Sequence, residues 1–246
     1  MPTIRGASFN IGSLHCDYQN NIQALTELLS ERDIDILCLQ EFPEDADIAK
    51  SVSELTGLGE YSFVHTSESH VNVGHAMGVA LFSSVPLTPV SDVELKNPEV
   101  TPVYRGRVEA WHGKRFAAYR AVLKGQPIIL VVGHGFPFHR YDLENAEGER
   151  YIIPPHRQLE EWLLDLEKRV CPIPVCIFAD MNVGEPMRYM PTLGERYRDC
   201  FDGEATRPSG RKTDAIILPR TATLCGKENV ALRGFDHNYI EVSFKF

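Results

Sequence analysis

The feature that most restricts the fold of this chain is a set of short apolar runs, many of which stop on a polar residue. Ile34 to Leu39 (IDILCL) and Ile173 to Ala179 are nearly all apolar, as strands covered on both faces are. Ile4 to Ile11, Tyr61 to Thr66, Gly78 to Ser83, Val103 to Trp111, Phe116 to Leu123, Pro127 to Gly133, Asp214 to Leu218 and Tyr239 to Phe246 read as further strands set off by Gly, Pro and Ser turns. Helical period is clear in two segments and weaker in a third. Asn21 to Arg32 places Ile22, Leu25, Leu28 and Leu29 on one face, and Pro155 to Val170 carries the stripe Leu159, Trp162, Leu163, Leu166; Glu44 to Leu55 is the weaker one. Strands outnumber helices, and several are adjacent in sequence. That pattern suits two mixed sheets packed together with helices outside better than a doubly wound sheet. The stretch from Gly135 to Pro154 has no period and reads as a long ordered loop.

The strand ends carry the chemistry. Asn10 ends the first strand, Gln40-Glu41 the second, and His134 and Asp180-Met181-Asn182 end two more. Asp214 opens a late apolar run, and Asp236-His237 the last. A single carboxylate after a strand is usually a turn residue or a helix cap. Six such ends bearing Asn, Glu, His and Asp are not explained that way, because ligand sites in α/β sheets gather where strands stop. Asn10, Glu41 and Asp236 offer the hard oxygen donors that Mg²⁺ or Mn²⁺ takes. His237 and His134 exchange protons near neutral pH, with Asp214 a candidate to hold the His237 ring. Asp180 and Asn182, two apart on extended chain, suit the orientation of an attacking water and a phosphate oxygen.

Composition narrows the partners. The formal charge is −9, which argues against a broad basic face for duplex nucleic acid but not against a local patch. Arg207, Arg211 and Lys212 cluster before Asp214, as a solvated turn or a local phosphate clamp. Arg211, Lys212 and His139 are the candidates for substrate binding. His70 and His75 read as surface loop, and Trp111 and Trp162 as core. The cysteines show no zinc-finger spacing; Cys38 and Cys176 sit in apolar runs as buried thiols. No signal peptide or membrane-spanning run is visible, so the expected compartment is the cytoplasm.

Taken in order, the segments ASFNIG, DILCLQEF, GVALFSSVPL, ILVVGHGF, HRQLEEWLLDLEK, VCIFADMNVG, YRDCF with TRPSGRKTDAIIL, and GFDHNYIEVSF resemble the endonuclease/exonuclease/phosphatase superfamily, which includes deoxyribonuclease I. The resemblance implies an α+β fold, a four-layer α-β-β-α sandwich of two mixed sheets with outer helices. It also implies one catalytic domain over 1–246, because its motifs run from Asn10 to His237. By position, it implies Asn10 and Glu41 as principal ligands of Mg²⁺ or Mn²⁺, with Asp236 also reaching the metal. His237 is similar to the general base or phosphate-binding histidine, with Asp214 behind it. Asp180 and Asn182 resemble the pair that positions water and stabilises the pentacovalent phosphate, and His134 the second histidine. The chain departs from the family pattern at Val132-Gly133-His134-Gly135, where Asn-Thr-His is usual, at Phe235, where Ser is usual, and at Asn238-Tyr239, where Pro often follows.

Three functions follow from this reading. The leading one is a metal-dependent phosphodiester hydrolase of nuclease type, with nucleic acid as a candidate partner. The alternative is a phosphatase or phosphodiesterase of a small phosphorylated metabolite or phospholipid head group; the acidic balance favours a small or single-stranded substrate. The third is a binding module that lost its chemistry, a reading that loss of Glu41, Asp180 or His237 would have favoured. No protein partner is implied.

Overall fold

The computed structural model describes residues 2–12, 18–65 and 77–246. His70, His75 and Cys16 lie outside them. The chain runs through β1 (Ile4–Asn10), α1 (Tyr18–Ser30), β2 (Ile36–Pro43), α2 (Ala46–Thr56), β3 (Glu60–His65), β4 (Met77–Ser83) and β5 (Thr88–Leu95). Two-residue strands β6 (Val103–Tyr104) and β7 (Arg107–Val108) precede β8 (Lys114–Leu123), β9 (Gln126–His134), a 3₁₀ turn at Phe138–Tyr141 and α3 (Glu149–Val170). The rest is β10 (Val175–Asp180), α4 (Pro186–Tyr189), α5 (Pro191–Gly194), β11 (Tyr197–Asp199), β12 (Asp214–Pro219), β13 (Thr223–Ala231) and β14 (Asn238–Lys245).

The strands form two six-stranded mixed sheets, ordered β13-β14-β1-β2-β4-β3 and β11-β12-β10-β9-β8-β5. Each holds one parallel pair at its middle, β1 with β2 and β9 with β10, and is otherwise antiparallel. Phe178, Cys38, Leu81, Leu130, Ile216 and Val242 pack between the sheets. Outside the first sheet, Leu25 and Leu29 of α1 and Val52 of α2 cover Leu37, Leu39 and Phe82. Outside the second, Ile152, Leu159, Leu163 and Leu166 of α3 cover Val131 and Ile177. The architecture is therefore the expected four-layer sandwich, with β1, β2, β4, β10 and β12 buried on both faces. No helix among the described residues is long and apolar enough to cross a membrane.

Three readings change. The run Val103–Trp111 is not one strand. It folds back at Arg105 and Gly106, whose φ values of 50° and 75° make a tight hairpin between β6 and β7. Trp111 lies beyond this hairpin, its ring edge against Phe136 and Tyr141. The helix expected from Pro155 begins at Glu149 and keeps Pro154 and Pro155 inside it, which shortens the loop after Gly135. Ile152 is fully buried in the outer core and anchors this early turn. Strands β5 and β13 had no apolar run to mark them. Both are mainly exposed or half-exposed, as edge strands are.

Candidate active site

Both parallel pairs end at the same place. In register, Asn10 stands beside Gln40 at the close of β1 and β2, and His134 stands beside Asp180 at the close of β9 and β10. Asp180 also faces Asp214, the first residue of β12. Stacking the sheets thus brings residues scattered over more than 200 positions of sequence to one end of the sandwich.

Glu41 is aimed by a distortion. The β2–β4 register slips between Gln40 and Phe42, and Glu41 occupies the bulge at φ 52°. A β-bulge redirects a side chain that strict alternation would send elsewhere, and a non-glycine residue at positive φ is strained, a combination that clusters at functional sites. The Asn10 amide Nδ2 donates to Glu41 Oε1 at 3.2 Å and to Asp180 Oδ2 at 2.9 Å, so one buried amide spans two carboxylates. Asn10 Oδ1 accepts from the Gly12 amide at 2.9 Å. Gly12 has φ 54°, and a Cβ there would lie 2.9 Å from Asp236 Oδ1. Only glycine leaves that carboxylate its place.

Around Asp180 the network is dense. Its Oδ1 accepts from the Asn182 amide at 2.8 Å, and Asn182 itself sits at φ 54° with its Nδ2 on the Gly135 carbonyl. Its Oδ2 is 3.5 Å from His134 Nε2 and 3.8 Å from His237 Nε2. Burial, and next the Asp214 charge, raise the Asp180 carboxyl to about 6. The Nδ1 of His237 lies 2.9 Å and 3.1 Å from the two oxygens of Asp214. Burial opposes a charged ring there, but the Asp214 charge and hydrogen bond, with Asp180 adding, outweigh it and raise His237 to about 9. Asp214 Oδ2 also accepts from Thr206 Oγ1 at 2.9 Å and Thr213 Oγ1 at 3.1 Å. Thr206 is a hub, since its hydroxyl oxygen receives the amides of Thr213 and Asp214 as well.

A cavity of about 780 Å³ opens above this floor, lined among others by Glu41, Lys114, His134, Asn182, Asp236 and His237. Asp236, expected at the metal, sits at the rim with its carboxylate on Arg207, which also donates from Nε to the Asp236 carbonyl at 3.0 Å. His139 borders the cavity too. Its Nε2 is 3.2 Å from an Arg207 guanidinium nitrogen, and burial, then the charges of Arg207, Arg211 and His237, lower it to about 4. It is therefore neutral and accepts from Arg207. Arg211 lines the cavity; Lys212 does not. Lys212 instead makes a buried ion pair with Asp199, which corrects its expected substrate contact. Arg207, weighed as part of a solvated turn or a local phosphate clamp, lines the cavity beside Asp236.

Lys114 was missed. It is 2% exposed at the start of β8, and its burial lowers its pKa against the fields of Glu41 and Asp180, which raise it. Strand parity was the available signal, because Lys114 shares a face with the fully buried Phe116.

The departures from the family pattern have local causes. A Cβ at Gly133 would come within 2.1 Å of the Phe116 ring, so the aromatic ring takes the room a threonine would need. Phe235 is buried against Phe9 at a ring separation of 4.7 Å. Asn238 donates its amide N–H to the Thr206 carbonyl at 2.8 Å, a bond that proline cannot make.

A family model described as the endonuclease/exonuclease/phosphatase family matches residues 7–216. The chain belongs to that family. Its fold recurs in solved structures at low identity. The human Nocturnin catalytic domain with bound sulfate superposes with a TM-score of 0.72 at 16% identity, over 100% of this chain and 94% of that one. A mannosyl-6-phosphatase from Bacteroides thetaiotaomicron gives 0.64 at 14%, over 99% and 100%. Humanized D. rerio TDP2 gives 0.63 at 14%, over 99% of each chain. No curated protein matches the sequence. Family membership carries phosphoester hydrolysis as the general chemistry of the fold.

Proposed function

We propose that this family member, read as one catalytic domain over residues 1–246, is a Mg²⁺- or Mn²⁺-dependent phosphoester hydrolase acting at the shared end of the two sheets. The observation that carries the reading is the Asn10 amide bridging Glu41 and Asp180 beside the Asp214–His237 pair. Asp180, Asp214 and His237 present donor atoms within 4.8 Å of one another, a group able to hold a cation. Asp214 Oδ2 already accepts from three side chains, so we assign the cation to Glu41 and Asp180; Asn10 joins them through Oδ1 only when its amide turns away from the Gly12 N–H. These hard oxygens fit Mg²⁺ or Mn²⁺. Asp236 serves this cage only when Arg207 releases it.

When bound there, a divalent cation supplies the charge that draws a phosphate oxygen and lowers the proton affinities of Asp180 and His237. The side chains do the rest. Asp214 keeps the Nδ1 proton of His237, which turns Nε2 toward Asp180 and the cavity. A water in line with the phosphorus gives its proton to His237 Nε2 as its oxygen bonds to phosphorus, the ester P–O bond breaks, and the leaving oxygen takes a proton from solvent. Asn182 and His134 steady the charge that develops on the phosphoryl oxygens. The convergence of all these groups argues against a silent binding module.

A small phosphate ester has support over nucleic acid in the shape of the site. The β6–β7 hairpin is tied to the 3₁₀ turn by Arg140 and Tyr141, which both bond Glu109 at 2.9 Å, and together they wall the cavity. The volume is that of a small-molecule site. A panel of single- and double-stranded DNA, RNA, bis-p-nitrophenyl phosphate, sphingomyelin, inositol phosphates and sugar phosphates, each with Mg²⁺, Mn²⁺ or EDTA, tests both levels. Metal-dependent cleavage of at least one member is expected. Cleavage of none revives the binding module, and cleavage of DNA alone overturns the small-substrate reading.

A further inference from the structure

The cavity is lined by more cations than carboxylates. Against the carboxylates of Glu41, Asp142 and Asp236 its lining sets Lys114 and four arginines, on a chain of formal charge −9. Two of those arginines are engaged, Arg140 with Glu109 and Arg207 with Asp236. For Lys114, Arg105 and Arg211, no carboxylate among the described residues lies within ion-pair distance. Glu144 feels the charge of Arg211 without closing a pair.

Two of these cations are placed against resistance. Lys114 is 2% exposed, and a buried ammonium with no protein counter-ion at hydrogen-bond range is costly unless a ligand supplies one. Arg105 sits at φ 50° in the first central position of the Tyr104–Arg107 turn, followed by Gly106 at 75°. Two positive φ values in succession make a turn that favours asparagine or glycine in that first position. Arginine there is strained, and its side chain lines the cavity.

We propose that Arg105 and Arg211, on the hairpin and the 205–213 loop of the cavity wall, bind a second anionic group of the substrate, while Lys114 takes an oxygen of the phosphoryl group being cleaved. The substrate class is then a compact phosphate ester bearing one further phosphate, sulfate or carboxylate. This rests on the hydrolase reading of the same site. Cations that converge on one small cavity suit such a molecule; duplex binding uses cations spread along an open face.

Fructose 1,6-bisphosphate and fructose 6-phosphate differ by one phosphate and make the test. Each is titrated calorimetrically into EDTA-treated protein, and each competes with p-nitrophenyl phosphate hydrolysis in Mg²⁺. The wild type is expected to bind the bisphosphate at least about tenfold more tightly than the monophosphate, as a charge-assisted contact allows. Arg105→Asn and Arg211→Gln should each bring that ratio toward one. Arg105→Asn should melt no lower than wild type, because asparagine suits the turn, which separates lost contact from lost fold. Lys114→Met should weaken both sugars alike. Equal affinity of the two sugars in the wild type overturns the proposal, as does an unchanged ratio in both arginine variants. If no phosphoester is cleaved but the ratio holds in the calorimeter, the hydrolase reading fails and the dianion site stands. Cleavage without the ratio has the reverse meaning.

Discussion

Replacing Asp214 with asparagine isolates one electrostatic claim. His237 is raised to about 9 from an ordinary 6.5, with its Nδ1 2.9 Å from a fully buried carboxylate oxygen. At roughly 1.4 kcal/mol per pKa unit, the charged ring is favoured in the folded state by about 3 kcal/mol. A group whose folded pKa is raised gives stability that is complete below its unfolded value and lost as pH rises through its folded value. The metal-free protein should therefore lose about 3 kcal/mol between pH 6.5 and pH 9 through this residue. Asp180, raised to about 6, acts in the same direction but at lower pH, so the upper window belongs to His237. Asparagine removes the Asp214 charge and leaves the burial, which by itself lowers the imidazole pKa. The smaller Asp180 field remains, so the variant should lose most of the slope above pH 6.5. Urea unfolding in EDTA at half-unit pH steps, with His237 followed by NMR, reads both effects. A wild-type curve parallel to that of Asp214→Asn from pH 6.5 to 9, or a His237 midpoint at or below 6.5, would refute the reasoning.

Other outcomes follow from single contacts. Thr206→Val strips Asp214 and two amides of a buried partner and should cost about 1–3 kcal/mol; Thr206→Ser should restore turnover, measured as kcat beside a melting curve. Lys212→Ala leaves the buried Asp199 carboxylate without its cation and with only the Phe201 amide as a partner, for a loss of about 3–5 kcal/mol in urea unfolding, while KM of the folded fraction stays unchanged because Lys212 does not line the cavity. Gly133→Ala drives a methyl into the Phe116 ring and should destabilise by about 1–3 kcal/mol, a loss that Phe116→Leu in the same chain relieves.

Much of this molecule was legible as sequence because its central strands are buried on both faces. Runs such as IDILCL and PVCIFAD have no other comfortable environment, and their polar ends mark where the layers open. Edge strands gave no such signal: TPVSDVEL of β5 is mostly in contact with water and reads like loop. The hairpin at Arg105 was hidden for another reason. Its turn relies on an arginine at positive φ, whereas the readable turns use Asn-Gly or Asp-Gly. Within the site, motif order brought Asn10, Glu41, Asp180, Asn182, Asp214, His134 and His237 together on paper, and the stacked sheets gather them. What the motifs did not carry is pairing. That Arg207 takes Asp236, that Lys212 takes Asp199 and that Lys114 reaches the floor depend on loop paths between elements, which periodicity does not encode.

The central claim is that Glu41, pushed from its strand by a bulge, holds the divalent cation that phosphoester cleavage requires. The direct measurement is the rate of bis-p-nitrophenyl phosphate hydrolysis as Mn²⁺ is titrated into metal-free wild type and Glu41→Ala, with bound Mn²⁺ counted by EPR in the same samples. The account predicts wild-type hydrolysis that rises with bound Mn²⁺ and vanishes in EDTA, and a Glu41→Ala protein that folds, binds Mn²⁺ weakly and loses at least about 10²–10³-fold in rate. Glu41→Ala hydrolysing at the wild-type rate, or wild type indifferent to EDTA, would contradict it.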